Sequence, residues 1–153
     1  MPRREQAPFP IGALSSGSLA IDDLLRASSN AIDILIDHER LTKHEASTIQ
    51  EEVDTISDES EDADDVLQEA EDLINGAVPD YVYYGGNEGD PADVGFWISW
   101  DSVEEDRRNG ELTEYADVTP SFSGLAIDVN DHGNATLYLV NRGKVKQTIW
   151  EVV

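Results

Sequence analysis

The segment Ala70-Glu71-Asp72-Leu73-Ile74-Asn75-Gly76-Ala77-Val78-Pro79-Asp80-Tyr81-Val82-Tyr83-Tyr84 decides the fold, because the rhythm of its apolar residues changes part-way along. Val66, Leu67, Ala70, Leu73 and Ile74 recur at the 3.6-residue period that gathers side chains on one side of a helix. Gly76 then stands where a helix commonly ends on a left-handed residue. Beyond Pro79 the period is two, and β-branched and aromatic residues dominate, as in strands.

Upstream the helical rhythm continues. Thr42 to Glu45 has capping-box form, in which the Thr hydroxyl and the Glu carboxylate satisfy each other's unpaired backbone N–H groups, so a helix starts there. Ala46, Ile49, Val53 and Ile56 form its narrow apolar stripe. Ser57 to Ser60 reads as a turn before the third helix. An earlier helix follows Ser18, a plausible N-cap, with Ile21, Leu24, Leu25, Ile32, Leu35 and Ile36 inward and a break expected at Ser28-Ser29-Asn30. The first seventeen residues, with Pro2, Pro8, Pro10 and the run Ser15-Ser16-Gly17, read as an arm or loop.

Downstream, five strands are expected at Tyr81 to Tyr84, Val94 to Trp100, Gly124 to Val129, Ala135 to Val140 and Val145 to Val153. Asn130 to Asn134 and Asn141 to Lys144 are hairpin connections, and Asp101 to Asn109 is a short helix ended by Gly110. Helices first and strands afterwards predict an α+β fold. About three N-terminal acidic helices should pack on one face of a roughly five-stranded antiparallel C-terminal sheet. The whole chain, 1–153, is expected to be one domain: an arm over 1–17, helices over 18–76 that are acidic from 44, and the sheet over 77–153.

The formal charge of −23 is unevenly placed. Between His44 and Asp106 there are twenty-one carboxylates and no Lys or Arg, whereas both ends are nearly neutral. Adaptation to high salt would spread carboxylates over every exposed surface, which this pattern does not do. The absence of cysteine excludes disulfides, thiolate metal sites and thiol catalysis, and fits a reducing compartment. No apolar run approaches the roughly 20 residues that span a bilayer, and no secretory signal is visible at the start, so a cytoplasmic location and no membrane partner are expected.

Catalytic patterns are missing. His38, His44 and His132 lack the paired spacing that turns two imidazoles toward one metal. There is no Gly-x-Ser-x-Gly elbow and no phosphate-binding Gly-Lys-Ser/Thr loop. The Gly-rich stretch from Tyr83 to Gly95 carries Glu88, Asp90 and Asp93 but no cation, so it repels phosphate and reads as a turn between strands. Asp58, Ser60, Asp62, Asp64 and Glu69 fall at calcium-loop spacing, but Ala63 stands where the sharp turn needs Gly. No enzyme, cofactor or metal is expected.

What remains is the acidic stretch itself. Glu51 to Asp72 holds twelve carboxylates in twenty-two residues. Were it one helix, it would run about 33 Å, with one negative charge per roughly 2.8 Å of axis; duplex DNA presents one per about 1.7 Å. Like charges three and four residues apart destabilise a helix, and no Lys or Arg offsets them here. The candidate partner-binding residues are therefore Glu51, Glu52, Asp54, Asp58, Glu59, Glu61, Asp62, Asp64, Asp65, Glu69 and Asp72. A basic, nucleic-acid-binding protein is the partner such a surface selects, and direct binding of nucleic acid is disfavoured by the same charge. The competing expectation is an accessory or assembly domain that binds through an aromatic sheet face made of Tyr81, Tyr83, Phe96 and Trp100.

From Ala77 to Trp100, the aromatic strand, the acidic Gly-rich loop and the Gly95-Phe96-Trp97 strand resemble a segment of small acidic bacteriophage proteins. The Asn130-Asp131-His132-Gly133-Asn134 hairpin and the closing Ile149-Trp150-Glu151-Val152-Val153 are similar to theirs as well. The resemblance covers about half the chain and brings no activity with it. It implies a phage or prophage origin, a setting in which acidic inhibitors of host defence, including anti-CRISPR and antirestriction DNA mimics, recur.

Overall fold

A computed structural model describes residues 7–153. It is α+β, with the main helices N-terminal, and its contacts gather into two compact units: Gly12–Ile98, and Met1–Ile11 together with Ser99–Val153.

The Gly12–Ile98 unit holds β1 (Gly12–Ser15), α1 (Ile21–Asp37), α2 (Lys43–Thr55), α3 (Ala63–Asn75), β2 (Val82–Asn87) and β3 (Asp90–Ile98). The three strands form an antiparallel sheet in the order β1-β3-β2. Part of the expected arm is thus a strand, with Gly12 opposite Phe96 and Ala13 opposite Gly95; residues 7–11 and 16–17 are irregular as expected, and residues 1–6 of that expectation lie outside the described residues. The approach is so close that a Cβ on Gly95 would lie 2.1 Å from the Gly12 carbonyl oxygen, which is why strand β3 carries a glycine there. On the sheet's inner side Val82, Tyr84, Phe96 and Ile98 are buried, with α1 against β1 and β3, and α3 against β2. Leu25, Val53, Val66, Leu67 and Ala70 form a cluster among the three helices. The apolar periodicity of the sequence builds this core directly.

Three polar devices fix these elements. The Asn75 side chain acts as a short strand: its Oδ1 accepts from the Tyr84 N–H at 2.8 Å, and its Nδ2 donates to the Tyr84 carbonyl at 3.1 Å. Arg40 donates to the carbonyls of Ala77 and Val78, tying the end of α1 to the segment after α3. Ser28, fully buried, lies 3.5 Å from the Tyr84 hydroxyl, whose pKa burial pushes up to about 12. The expected break at Ser28-Ser29-Asn30 does not occur, because Ser28 meets a buried polar partner and α1 runs through. Ser18 is not the N-cap; Ala20 holds that position, and the Ser18 hydroxyl instead accepts from the Ala20 N–H and donates to Asp23. Gly76 has φ −77°, so α3 ends without a left-handed residue, the Asn75 clamp having redirected the chain.

The second unit contains α4 (Trp100–Arg108), β4 (Thr113–Glu114), a single 3₁₀ turn (Tyr115–Asp117), β5 (Gly124–Val129), β6 (Ala135–Asn141) and β7 (Lys144–Val152). Its sheet has the order β4-β5-β6-β7, antiparallel except for the two-residue parallel pairing of β4 with β5. Ile127, Leu137 and Trp150 stand side by side across the three long strands and are fully buried. Trp150 meets Trp100 edge-on, with ring centroids 6.4 Å apart. All five expected strands exist, but they divide between two sheets rather than joining in one.

Candidate acidic interface

The eleven candidate carboxylates occupy three consecutive pieces of one unit. Glu51, Glu52 and Asp54 lie at the end of α2. Asp58, Glu59, Glu61 and Asp62 lie in the connection, and Asp64, Asp65, Glu69 and Asp72 lie on α3. All eleven are exposed. The stretch is therefore not a single 33 Å rod: the chain leaves α2 after Thr55 and enters α3 at Ala63, so the charge is folded back into a surface. The connection is ordered by its own serines. Ser57 Oγ accepts from the Glu59 N–H and Ser60 Oγ from the Asp62 N–H, both at 3.2 Å, while Ile56 and the buried Ala63 anchor its ends.

Among the described residues, none of the eleven takes part in an ion pair. The Gly12–Ile98 unit has twenty-two carboxylates and three Lys/Arg, a charge of −19. Of those three cations, Arg26 pairs with Asp23 and Arg40 is bound to backbone carbonyls. The helix ends are loaded the same way. Neither α1, α2 nor α3 has a basic residue in its last turn, where the partial negative charge of the helix dipole favours one, and Asp37, Asp54 and Asp72 are there instead. By contrast α4 ends on Arg107 and Arg108. Arg107 bonds Glu114 at 2.6 Å and Glu104 at 2.8 Å, contacts that raise its pKa further. Glu71, flanking the candidate set, is partly buried, and burial followed by the charge of Asp72 raises its pKa.

Sequence reasoning missed the contribution of α1. Ser29 Oγ donates to Asp54 Oδ1 at 2.7 Å, and Gln50 Nε2 donates to Asp33 Oδ1 at 2.7 Å, pairings that require α1 and α2 to run antiparallel. The N-terminal half of α1 thereby borders the acidic end of α2 and encloses a cleft of about 350 Å³ with Asp22, Ser29, Asp54 and Asp58 among its walls. The signal in the sequence was the polar row Asp22, Arg26, Ser29 beside Leu25 on one helix side, legible only once the partner helix is known.

The other candidates do not assemble. Asp58, Ser60 and Asp62 precede α3 while Asp64 and Glu69 lie on it, and no group of three or more His, Asp or Glu side chains among the described residues could hold a metal ion. Tyr81, Tyr83, Phe96 and Trp100 share no sheet face. Phe96 is buried against Tyr84, Tyr83 stands opposite Trp97 on the sheet's other side, and Trp100 begins α4 in the other unit. The Gly-rich stretch is the β2–β3 hairpin, turning at Glu88-Gly89. No helix among the described residues is long and apolar enough to cross a membrane. Compared with protein-family models, curated proteins and solved structures, the chain matches none.

Proposed function

We propose that this protein is a non-enzymatic inhibitor that acts by occupation: its acidic surface docks on the basic nucleic-acid-binding surface of a host defence or DNA-processing protein. The observation that carries this reading is the exposure of all eleven carboxylates without a single ion pair among the described residues, together with acids in the last turns of α1, α2 and α3, where stability favours cations. A surface kept acidic against its own helix dipoles is explained by what it must attract. Long-range attraction raises the on-rate for cationic surfaces, which in a cell belong mostly to proteins that bind nucleic acid. The resemblance of Ala77 to Trp100 to bacteriophage proteins supplies the setting, a phage protein acting in the host cytoplasm as DNA mimics of the anti-CRISPR and antirestriction kind do.

The test is capture from a bacterial lysate on the immobilised protein at low and at high salt, with a variant in which Glu51, Asp54, Asp58, Glu61, Asp62 and Asp65 are changed to Asn or Gln. A nucleic-acid-binding protein should be retained at low salt, released by high salt and by added DNA or RNA, and lost with the neutralised variant. Equal capture by the neutralised variant would sink the reading.

A further inference from the structure

The cleft between α1 and α2 has a chemistry distinct from the open acidic surface around it. Its floor is apolar, made by Leu25 and Val53, each only 5 % exposed, and by Ile56. Three carboxylates from three different pieces of chain stand in its walls: Asp22 on α1, Asp54 on α2 and Asp58 on the connection. One of them is oriented in advance, since the Ser29 hydroxyl holds Asp54 Oδ1 at 2.7 Å. The single cation along the wall, Arg26, is 69 % exposed and engages Asp23, which does not line the cleft.

An apolar floor beneath a carboxylate rim matches a cation carried on a hydrocarbon stem, which can lay the stem on the floor and leave its head at the rim. A bare metal ion would gain nothing from Leu25 and Val53, and an anion would be repelled. A volume of about 350 Å³ is at the small end of ligand pockets and suits one side chain rather than a nucleotide. Between the two basic side chains, the guanidinium is the more weakly hydrated, and its planar fork of donors can serve carboxylates on two walls at once, where an ammonium acts as a point charge.

We infer that this cleft is the receptor for an arginine side chain projecting from the partner's basic surface. The inference rests on the proposed docking function, for which it names the residue that anchors the complex, while the acidic residues outside the cleft steer the approach.

The experiment reads the cleft without the partner. The full-length ¹⁵N-labelled protein is titrated at low salt with acetyl-Gly-Arg-Gly-amide, and in parallel with the lysine peptide of the same form. Saturable amide shifts confined to residues 22–30 and 53–58 are expected, with the arginine peptide saturating at a several-fold lower concentration. Asn30→Trp, an exposed wall residue that carries no charge, should abolish them by filling the space, and Ser57→Trp provides a second filling variant from the other wall. Asp54→Asn should weaken them, whereas Asp64→Asn, the same loss of charge on α3 away from the cleft, should not. Shifts spread evenly over every acidic segment, equal response to both peptides, or persistence in the two filled variants would each overturn the inference. A saturable arginine site together with failed capture from lysate would instead overturn the docking function and leave the cleft as a site.

Discussion

Neutralising Glu51, Asp54, Asp58, Glu61, Asp62 and Asp65 should leave the fold almost as stable as it is, and the reason lies in where these residues stand on the helices. Glu51 and Asp54 lie near the end of α2, where negative charge opposes the dipole, so their removal gains about 0.3–1 kcal/mol each at low salt. Relief of the i,i+3 pair Glu51–Asp54 and the i,i+4 pair Asp65–Glu69 adds a few tenths of a kcal/mol each. Against this, Asp62 is the N-cap of α3 and Asp65 is in its first turn, where negative charge is favourable by about the same 0.3–1 kcal/mol each. Asn at position 54 retains an acceptor for Ser29. The balance is within roughly 1 kcal/mol of zero, which corresponds to a melting shift within about 2–4 °C for a chain of this length. Thermal melts by circular dichroism in about 20 mM and about 500 mM sodium chloride provide the assay. The unmodified protein should melt higher in the concentrated salt, because screening relieves the repulsion within its −19 unit, and the variant should gain less. A fall of more than about 10 °C, or the same salt response in both proteins, would refute the reasoning and show that these carboxylates hold the structure together.

Thr42→Ala removes the Oγ1 that accepts from the Glu45 N–H at 3.0 Å but keeps the backbone N–H from which Glu45 Oε1 accepts, also at 3.0 Å; it should cost about 1 kcal/mol in a chemical-denaturation curve. Trp150→Ala empties a fully buried site against Trp100 and should cost about 3–5 kcal/mol, read from the same curve. Gly95→Ala drives a methyl group into the Gly12 carbonyl and should cost about 1–3 kcal/mol, with hydrogen exchange of residues 12–15 accelerating ahead of β2. Glu71 has its pKa raised in the folded state, so its neutral form is favoured there, and ionisation as pH rises through the folded pKa costs stability. Glu71→Gln should therefore raise the melting temperature slightly at pH 7, and the gain should vanish below about pH 4, where the carboxyl is neutral in both states. A destabilised Gln variant at neutral pH would contradict that sign.

The helices were legible because their apolar stripes belong to single elements: Leu25, Val53, Val66 and Ala70 meet in one core without help from the strands. The capping box at Thr42 was equally local, and so were the two hairpins. What the sequence could not convey was long-range choice. β1 is four residues long and pairs with β3 some eighty positions away, so nothing near Gly12 marks it as a strand. Five strand-like segments say nothing of how many sheets they make, and one of the two unit boundaries, between Ile98 and Ser99, has no Gly or Pro to mark it. Position 76 shows a local signal overridden by tertiary contacts, since Asn75 bonds the Tyr84 backbone and the following glycine keeps a negative φ. The acidic residues were found because exposure of charge is nearly guaranteed. The cleft was not, because its walls come from α1 and α2 and exist only after the two helices have chosen an antiparallel arrangement.

The distribution of charge between the two units differs from what solubility alone would produce. A chain made acidic for solubility or salt tolerance would carry its carboxylates wherever water reaches. Here the exposed hairpin joining β6 and β7 bears Arg142, Lys144 and Lys146, and α4 closes on two arginines that complement its dipole. The same chain thus places cations by the ordinary rules of helix and strand ends in one unit and breaks those rules at the ends of all three helices in the other. Repulsion that local substitution by lysine would remove is retained at Glu51, Glu52 and Asp54 at the end of α2, where Asp54 also lines an apolar cleft, and at Asp72 at the end of α3. Solubility requires only net charge; it requires neither its concentration on one unit nor a cleft lined by some of its acids. The proposed docking on a basic surface would use the first, and the proposed arginine anchor the second.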